Sequence, residues 1–217
     1  VRVIPCLASF SVQTHDVNIS LTSIELMWKV TDSMVSKYTV LANSHPGTGK
    51  PSGQGGNSTA SGANDSSSVY HAEIILNVMM SELFQLCTDS RPEIRNCAIK
   101  TLFSAMLSYM THPILSNKWQ SIFNDSLFPL FTQIHKGTMA AMHNKAEAFA
   151  PEVKKGVKIT VHHSRNTSLK QWSETYVIAL KALGRIMKSC VKSLLAEAWF
   201  EKVWQNSIEV CMNAVYV

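Results

Sequence analysis

The chain has 217 residues, of which 46% are hydrophobic and 16% are charged. This composition is typical of a folded globular protein and excludes a chain that is disordered throughout. The 20 Lys and Arg residues outnumber the 15 Asp and Glu residues and give a formal net charge of +5. Because the basic residues are scattered, they argue against a nucleic-acid-binding protein.

The sequence indicates no membrane span, disulfide or metal site. The five cysteines are an odd number, lie far apart and form no C-x-x-C motif, so we expect reduced, mostly buried thiols and no metal or other cofactor. No apolar stretch approaches the roughly 20 residues that span a bilayer. The chain starts without Met and ends in an apolar run, and we expect it to be a fragment of a larger protein.

The first predicted helix follows Asn18, whose side chain can cap the first turn. Leu21, Ile24 and Trp28 share one face of this helix. The stretch from Asn43 to Ser68 then contains six of the nine glycines, together with Ser, Asn and Pro. Such a composition predicts a flexible linker or insertion. After it the helical period returns with the stripe Leu76, Met79, Met80, Leu83 and Cys87.

The next predicted helix has the best-marked start in the chain. Ser90 can cap the first turn, Pro92 stands where no amide hydrogen bond is lost, and Glu93 can reach back. Small and branched side chains form its inner face and allow a neighbouring helix to approach closely. The residues of this face are Ile94, Ala98, Thr101, Leu102 and Ala105.

Arg91 and Arg95 lie one turn apart on this helix. They could bind one carboxylate or phosphate together, but we expect internal salt bridges instead.

A short helix is predicted around Trp119, and a longer one to about Lys145. Asp125 and Ser126 suit a fresh helix start before Pro129. Between residues 148 and 167 the pattern breaks, and an alternation of apolar residues suggests an extended arm.

The helical period returns at Ser168, which stands at capping-box spacing from Gln171. The stripe that follows is Trp172, Thr175, Tyr176, Ala179, Leu183, Ile186 and Cys190. A last helix carries the stripe Phe200, Val203, Trp204, Cys211 and Val215, which must meet further structure or remain exposed. Of the five tryptophans, Trp199 is the one that we expect to be exposed.

These elements predict an all-α chain and favour a HEAT/armadillo-like α-solenoid segment with a long flexible insertion, with a compact bundle as the alternative. Helical repeats are predicted for residues 1–42, 69–147 and 168–217, the last continuing beyond the fragment. A Gly/Ser-rich linker is predicted for 43–68 and an extended arm for 148–167.

The segment His162–Arg165 invites a catalytic or metal-binding interpretation that its pattern does not support. Adjacent His side chains on an extended segment point to opposite sides, and no glycine-flanked nucleophile turn surrounds Ser164. We therefore expect no catalytic residue and no enzyme. The segment either docks on its own helices, which we favour, or binds a partner. The candidate partner-binding residues are His162, His163, Ser164, Arg165, Lys170 and Trp172.

Three stretches resemble the Mon-two family, large proteins related to the Sec7-type Arf exchange factors. The first is NISLTSIELMW at residues 18–28. The second is DSRPEIR at 89–95, followed by TLFS at 101–104. The third is HHSR at 162–165 with KQWSET at 170–175. The resemblance covers roughly residues 18–190, and the order and spacing of the stretches also fit.

The resemblance implies a solenoid segment of a cytosolic scaffold, peripheral to the membranes of the Golgi, the trans-Golgi network and endosomes. Its implied role is protein transport from endosomes to the Golgi with Dopey-type partners, and an Arf-like GTPase is a further candidate partner. The alternative is the C-terminal regulatory helical region of a Sec7-type Arf guanine-nucleotide exchange factor. A nucleic-acid-binding helical repeat is a third reading, which the scattered charges disfavour.

We predict that limited proteolysis first cuts the chain between Asn43 and Ser68, because a Gly/Ser-rich linker offers an accessible backbone. The helices on either side should remain associated after the cut. Digestion with subtilisin, followed by mass spectrometry of the fragments, checks both statements. Persistent protection of this segment would contradict the linker assignment.

Overall fold

The fold is all-α, as predicted. A computed structural model describes residues 2–43, 62–110, 112–148 and 167–215, and every regular element in these ranges is a helix. None of these helices is long and apolar enough to cross a membrane. The HEAT/armadillo-like repeat arrangement stays a prediction.

Nine α-helices and one π-helix make up the described ranges. They are α1 (Val3–Val12), α2 (Val17–Asn43), α3 (Gly62–Leu86), α4 (Pro92–Ser108), α5 (Pro113–Ser116), α6 (Trp119–Ser121), the π-helix (Ile122–Leu127), α7 (Phe128–Ala148), α8 (Ser168–Leu194) and α9 (Phe200–Val215).

The predicted linker and arm lie mostly outside the described residues. At their margins, α3 already begins at Gly62, and α7 continues to Ala148. The helical part of the chain therefore reaches further into the linker segment than its composition indicated. A polar, glycine-containing helix start cannot be told from a linker by composition alone.

Two predicted caps lie one or two residues away from the observed ones. Asp16 caps α2, since its Oδ1 accepts a 2.8 Å hydrogen bond from the amide of Asn18. Thr167 caps α8, since its hydroxyl oxygen accepts from the amide of Lys170 at 3.3 Å. The predictions of Asn18 and of Ser168 as caps are therefore wrong. Several capping residue types precede each helix, and tertiary packing selects one of them.

The start of α4 also differs from the prediction. Its N-cap residue is Arg91, whose side chain makes no capping hydrogen bond. Asp89 Oδ1 instead accepts the amide hydrogen of Arg91 at 2.8 Å. Pro92 does occupy the first turn, as predicted. The prediction of Ser90 as the cap is therefore wrong, and Asp89, one position earlier, accepts the hydrogen bond at this helix start.

A π-helix replaces the fresh helix start predicted at Asp125 and Ser126. The amide of Phe128 donates to the carbonyl of Phe123, five residues back, which is the π pattern. Pro129 lacks an amide hydrogen and would interrupt a regular α-helical ladder. With the wide turn directly before it, the helix continues from α6 into α7.

The helices α2, α3 and α4 pack side by side around the larger part of the core. Tyr38 near the end of α2 stacks on His71 of α3, with ring centroids 5.8 Å apart. The hydroxyl of Tyr109 on α4 donates to Asp32 of α2 at 2.7 Å. Burial, together with Asp32, raises the pKa of Tyr109. The stripe predicted for α3 is entirely buried.

α8 lies among α4, α7 and α9. The ring of Tyr176 contacts Phe131 and His135 of α7, and its hydroxyl donates to the carbonyl of Val210 on α9 at 3.2 Å. A Cβ at Gly137 would come within 2.7 Å of the Trp172 ring. α7 and α8 therefore approach closely because residue 137 has no side chain.

The burial of the thiols and tryptophans differs from two expectations, that the thiols are mostly buried and that Trp199 is exposed. Cys87 and Cys190 are buried and Cys97 is half-buried, whereas Cys6 and Cys211 are exposed. Burial raises the pKa of the Cys190 thiol to about 11. Trp199 is half-buried, and Trp204 is the exposed tryptophan, at 48%. The expectation that Trp199 is exposed is therefore wrong.

Two glycine substitutions test the α7–α8 packing. Gly184→Ala should raise the free energy of unfolding by about 0.5–1 kcal/mol, because Ala favours the helix and its Cβ would meet nothing within 4 Å. Gly137→Ala gains the same propensity but must displace the Trp172 ring, so we expect a net loss of about 1–3 kcal/mol. Urea denaturation of both variants measures the difference. Equal stabilisation by the two would contradict the close approach.

Candidate protein-interaction surface

The predicted partner-binding residues do not form one site in the described part of the chain. His162–Arg165 lie outside the described residues. Lys170 is exposed, and its Nζ lies 3.9 Å from Glu174 Oε1. Because both side chains are more than half exposed, this ion pair contributes little to the stability of the fold. Trp172 is half-buried against α7 and α4. The structure therefore separates Lys170, on the surface, from Trp172, which packs between α4 and α7.

Trp172 is held by a buried guanidinium group. The Cζ atom of Arg95 lies 4.0 Å from the centroid of the Trp172 ring, a cation–π contact. Arg95 Nε donates to the Thr175 hydroxyl at 2.8 Å, and Nη1 donates to the carbonyls of Asp89 and Ser90 at 3.2 and 2.9 Å. Arg95 is 0% exposed, and burial lowers its pKa. A residue placed in this way serves the packing of α4 on α8.

Arg91 points to a different part of the molecule. It forms a two-bond ion pair with Asp89, at 2.9 Å from Nε and 2.7 Å from Nη2. Nη1 donates to the carbonyl of Gln13 at 2.6 Å and Nη2 to that of Ser11 at 3.0 Å. Arg91 thus satisfies free carbonyls at the end of α1.

The two arginines therefore do not form a joint anion site. The salt bridges were expected across the repeat, but Arg91 pairs with Asp89 only two residues earlier, and Arg95 has no ion pair with a described residue. Burial alone would raise the pKa of Asp89, but hydrogen bonds and charge from Arg91, together with Arg95, hold it below its usual value. A lowered folded-state pKa adds stability above the ordinary carboxyl pKa, and this contribution is lost in acid.

A groove of about 580 Å³ with a mixed polar and apolar lining lies between α3 and the π-helix. Asn77, Ser81 and Gln85 follow one exposed edge of α3 there, and Lys118 beside them forms an ion pair with Glu73. Apolar side chains of Met80, Phe84 and Leu130 alternate with these groups. The mixed lining gives no clear preference for one kind of partner.

A second groove, between α8 and α9, is apolar. Its volume is about 560 Å³, and we call it the α8–α9 groove. Its lining on α8 includes Leu180, Gly184, Met187 and Val191. Four apolar residues of α9 are widely exposed beside it: Trp204 at 48%, Ile208 at 46%, Met212 at 54% and Val215 at 80%. A contiguous exposed apolar surface of this kind is typical of an interaction site.

The groove exists because α9 is apolar on two adjoining faces. Phe200, Val203 and Ser207 are buried on the inner face. Trp204 and Ile208 follow them by one residue, which turns them about 100° around the helix axis. One helical contact therefore cannot cover both faces. The sequence predicted one stripe that would meet further structure or remain exposed; Phe200 and Val203 of that stripe are buried, whereas Trp204, Cys211 and Val215 are exposed.

Charged residues follow the outer edges of both helices, and those of α8 from Lys181 to Lys192 are all basic. The basic row of α8 consists of Lys181, Arg185, Lys188 and Lys192, all exposed, and Lys188 also lines the groove. The outer edge of α9 carries both signs, since Glu201, Lys202 and Glu209 surround Gln205 there, all exposed. No ion pair between described residues uses these charges. The spacing of the α8 charges by three or four residues is visible in the sequence and indicates one exposed side of a helix.

Comparison with known proteins assigns the chain to a family. Residues 2–216 match the family model described as the C-terminal region of Mon2 protein. The Protein MON2 homolog of Drosophila melanogaster is 30% identical over 95% of this chain and 11% of its own length. Monensin-resistant homolog 2 of Caenorhabditis elegans is 28% identical, over 94% of this chain and 10% of its own length. The human Protein MON2 homolog is 27% identical, over 98% and 12%.

The chain thus spans about a tenth of the length of these relatives, and none of their names states an enzymatic activity. No solved structure matches.

Arg95→Lys should lower the free energy of unfolding by about 1–3 kcal/mol, because lysine keeps the charge but loses the stacking plane and the forked donors. The matched control is Arg185→Lys on the exposed face of α8, which should change it by less than about 0.5 kcal/mol. Chemical denaturation followed by circular dichroism measures both. Similar values for the two variants would remove the structural role assigned to Arg95.

Proposed function

The chain belongs to the Mon2 family, and on this premise we propose that it is a non-catalytic scaffold segment. It binds other proteins in vesicle-mediated transport at the Golgi and between endosomes and the Golgi. Its place of action is the cytoplasmic side of Golgi, trans-Golgi network and endosome membranes, where the longer protein associates peripherally.

The observation that carries this proposal is the open α8–α9 groove. Trp204, Ile208 and Met212 would each lose exposed apolar surface on contact with another protein, which favours association by about 25 cal/mol for each Å² covered. Aromatic and Met side chains are also enriched where proteins bind each other. The basic row of α8 beside the apolar floor adds orientation to that affinity.

The proposed partners are Dopey-type proteins, and an Arf-like GTPase is a further candidate. Of the residues predicted for partner contact, Lys170 offers an exposed charge at the start of α8. His162–Arg165 remain in the proposal as neighbours of that start along the chain. Trp172 contributes indirectly, since its ring fixes how α8 packs on α4 and α7.

The test is affinity purification of the intact parent protein from cell extract, with the bound proteins identified by mass spectrometry. Wild type should recover Dopey-type and other Golgi or endosomal proteins. Trp204→Asp with Ile208→Asp should reduce their recovery at least about tenfold, because a carboxylate in an apolar contact costs more than about 1.4 kcal/mol. The matched control, Met139→Asp with Met142→Asp, changes exposed apolar residues of α7 and should bind as wild type does.

Recovery mainly of an Arf-family GTPase would favour the regulatory region of a Sec7-type exchange factor. Equal recovery of Golgi and endosomal proteins by all three forms would detach the function from the groove. Equal helicity of the variants, checked by circular dichroism, keeps unfolding from imitating a lost contact.

A further inference from the structure

The composition of the groove between α3 and the π-helix favours no one kind of partner, but its polar groups stand at a regular spacing. We propose that this groove binds an extended peptide segment of a partner protein and recognises its main chain through polar side chains of α3. The inference goes beyond the proposed function, which rests on the α8–α9 groove, and the two grooves share no lining residue.

The spacing of one polar edge matches the repeat of an extended chain. Asn77, Ser81 and Gln85 are exposed and line the groove. They stand four residues apart, so successive side chains lie about 6 Å apart along the helix axis. An extended peptide advances about 6.6 Å in two residues, and alternate residues turn their main-chain groups to the same side. Each of the three side chains can therefore meet every second residue of such a peptide.

The chemistry of this edge also fits a peptide main chain. A side-chain amide carries both N–H donors and a carbonyl acceptor, as a peptide group does. Asn77 and Gln85 can thus each pair with one N–H and one C=O of the bound segment. The side chains of Asn77, Ser81 and Gln85 form no hydrogen bond with a described residue. On the opposite wall, Gln133 adds a further exposed amide.

Apolar side chains form the floor between the two polar walls. Phe84 is half-buried, and Met80, Ile122 and Leu130 are buried at the bottom of the groove. Side chains of an extended peptide alternate between its two faces, so every second one points to this floor. The expected segment therefore carries apolar residues at alternate positions.

Two charged residues line the groove, and neither selects a charged ligand. Lys118 is ion-paired with Glu73, and Asp125 accepts a hydrogen bond from the Ser121 hydroxyl at 2.6 Å. Among the described lining residues, a nucleic acid would find no unpaired cation for its phosphates. A bound helix also fits less well, because its main-chain groups are satisfied internally. It would cover the polar edge of α3 and leave it without partners.

Binding of designed peptides to the 217-residue chain tests the proposal. The probes are four peptides of the form Ser-X-Ser-X-Ser-X-Ser with an N-terminal fluorescein and a C-terminal amide, in which X is Val, Leu, Met or Phe throughout. Fluorescence anisotropy at up to about 300 µM protein should give a Kd of about 100 µM or lower for at least one of them.

Methylation of alternate main-chain nitrogens tests whether the main chain is recognised. One derivative of the best-binding peptide is N-methylated at its three X residues, and another at the three serines that follow them. Each derivative lacks the N–H donors of one edge of the extended chain. The derivative whose methylated edge faces α3 should bind at least about tenfold more weakly than its parent peptide.

Asn77→Ala with Gln85→Ala should raise the Kd of the best-binding peptide at least about tenfold, because the peptide main chain loses two hydrogen-bonding partners. The matched control, Gln205→Ala with Asn213→Ala, removes two exposed amides of α9 and should bind as wild type does. Both variants replace exposed helix residues with the best helix former, so both should fold.

Three results would overturn the peptide site. They are the failure of all four peptides to bind at about 300 µM protein, equal binding by wild type and the Asn77→Ala, Gln85→Ala variant, and unweakened binding of both methylated derivatives. None of them touches the proposed function, which is tested by recovery of Golgi and endosomal proteins through Trp204 and Ile208. Conversely, Trp204→Asp with Ile208→Asp should bind the peptides as wild type does, whether or not it recovers those proteins.

Discussion

One buried guanidinium group fixes how α8 packs on α4. Arg95 begins on α4, bonds to carbonyls that precede its own helix, and ends between Thr175 and the ring of Trp172 on α8. A buried charge tolerates few arrangements, because any rotation of α8 would remove the Thr175 acceptor and the aromatic face of Trp172. The Trp172 ring in turn positions α7, because α7 approaches the ring at Gly137, where there is no side chain.

The surface follows from that interior. The inner face of α8 packs on α4 and α7, and its outer face carries the basic row. After the turn between the two helices, α9 packs against α7 and a further side of α8. Tyr176 then ties α9 in place through the carbonyl of Val210. Only the inner face of α9 is covered by these contacts. The exposed groove is thus a consequence of α9 having two apolar faces and one covered side.

The sequence predicted the parts of the fold that depend on local periodicity. The stripe from Leu76 to Cys87 is buried, and so are most of the residues predicted for the inner faces of α4 and α8. It did not predict that Asp16 rather than Asn18 caps α2, or that a π-helix precedes Pro129. Those outcomes depend on tertiary packing, which decides where a helix starts and whether its ladder is interrupted or widened.

The candidate site shows the same limit more sharply. The spacing of Arg91 and Arg95 allowed a common ligand, yet one reaches the end of α1 and the other the start of α8, because each helix end presents its own unsatisfied groups. Periodicity also grouped Trp204 with Phe200 and Val203. Adjacent positions on a helix differ by about 100°, so a wide apolar arc can be divided between core and surface only by knowing what packs against it.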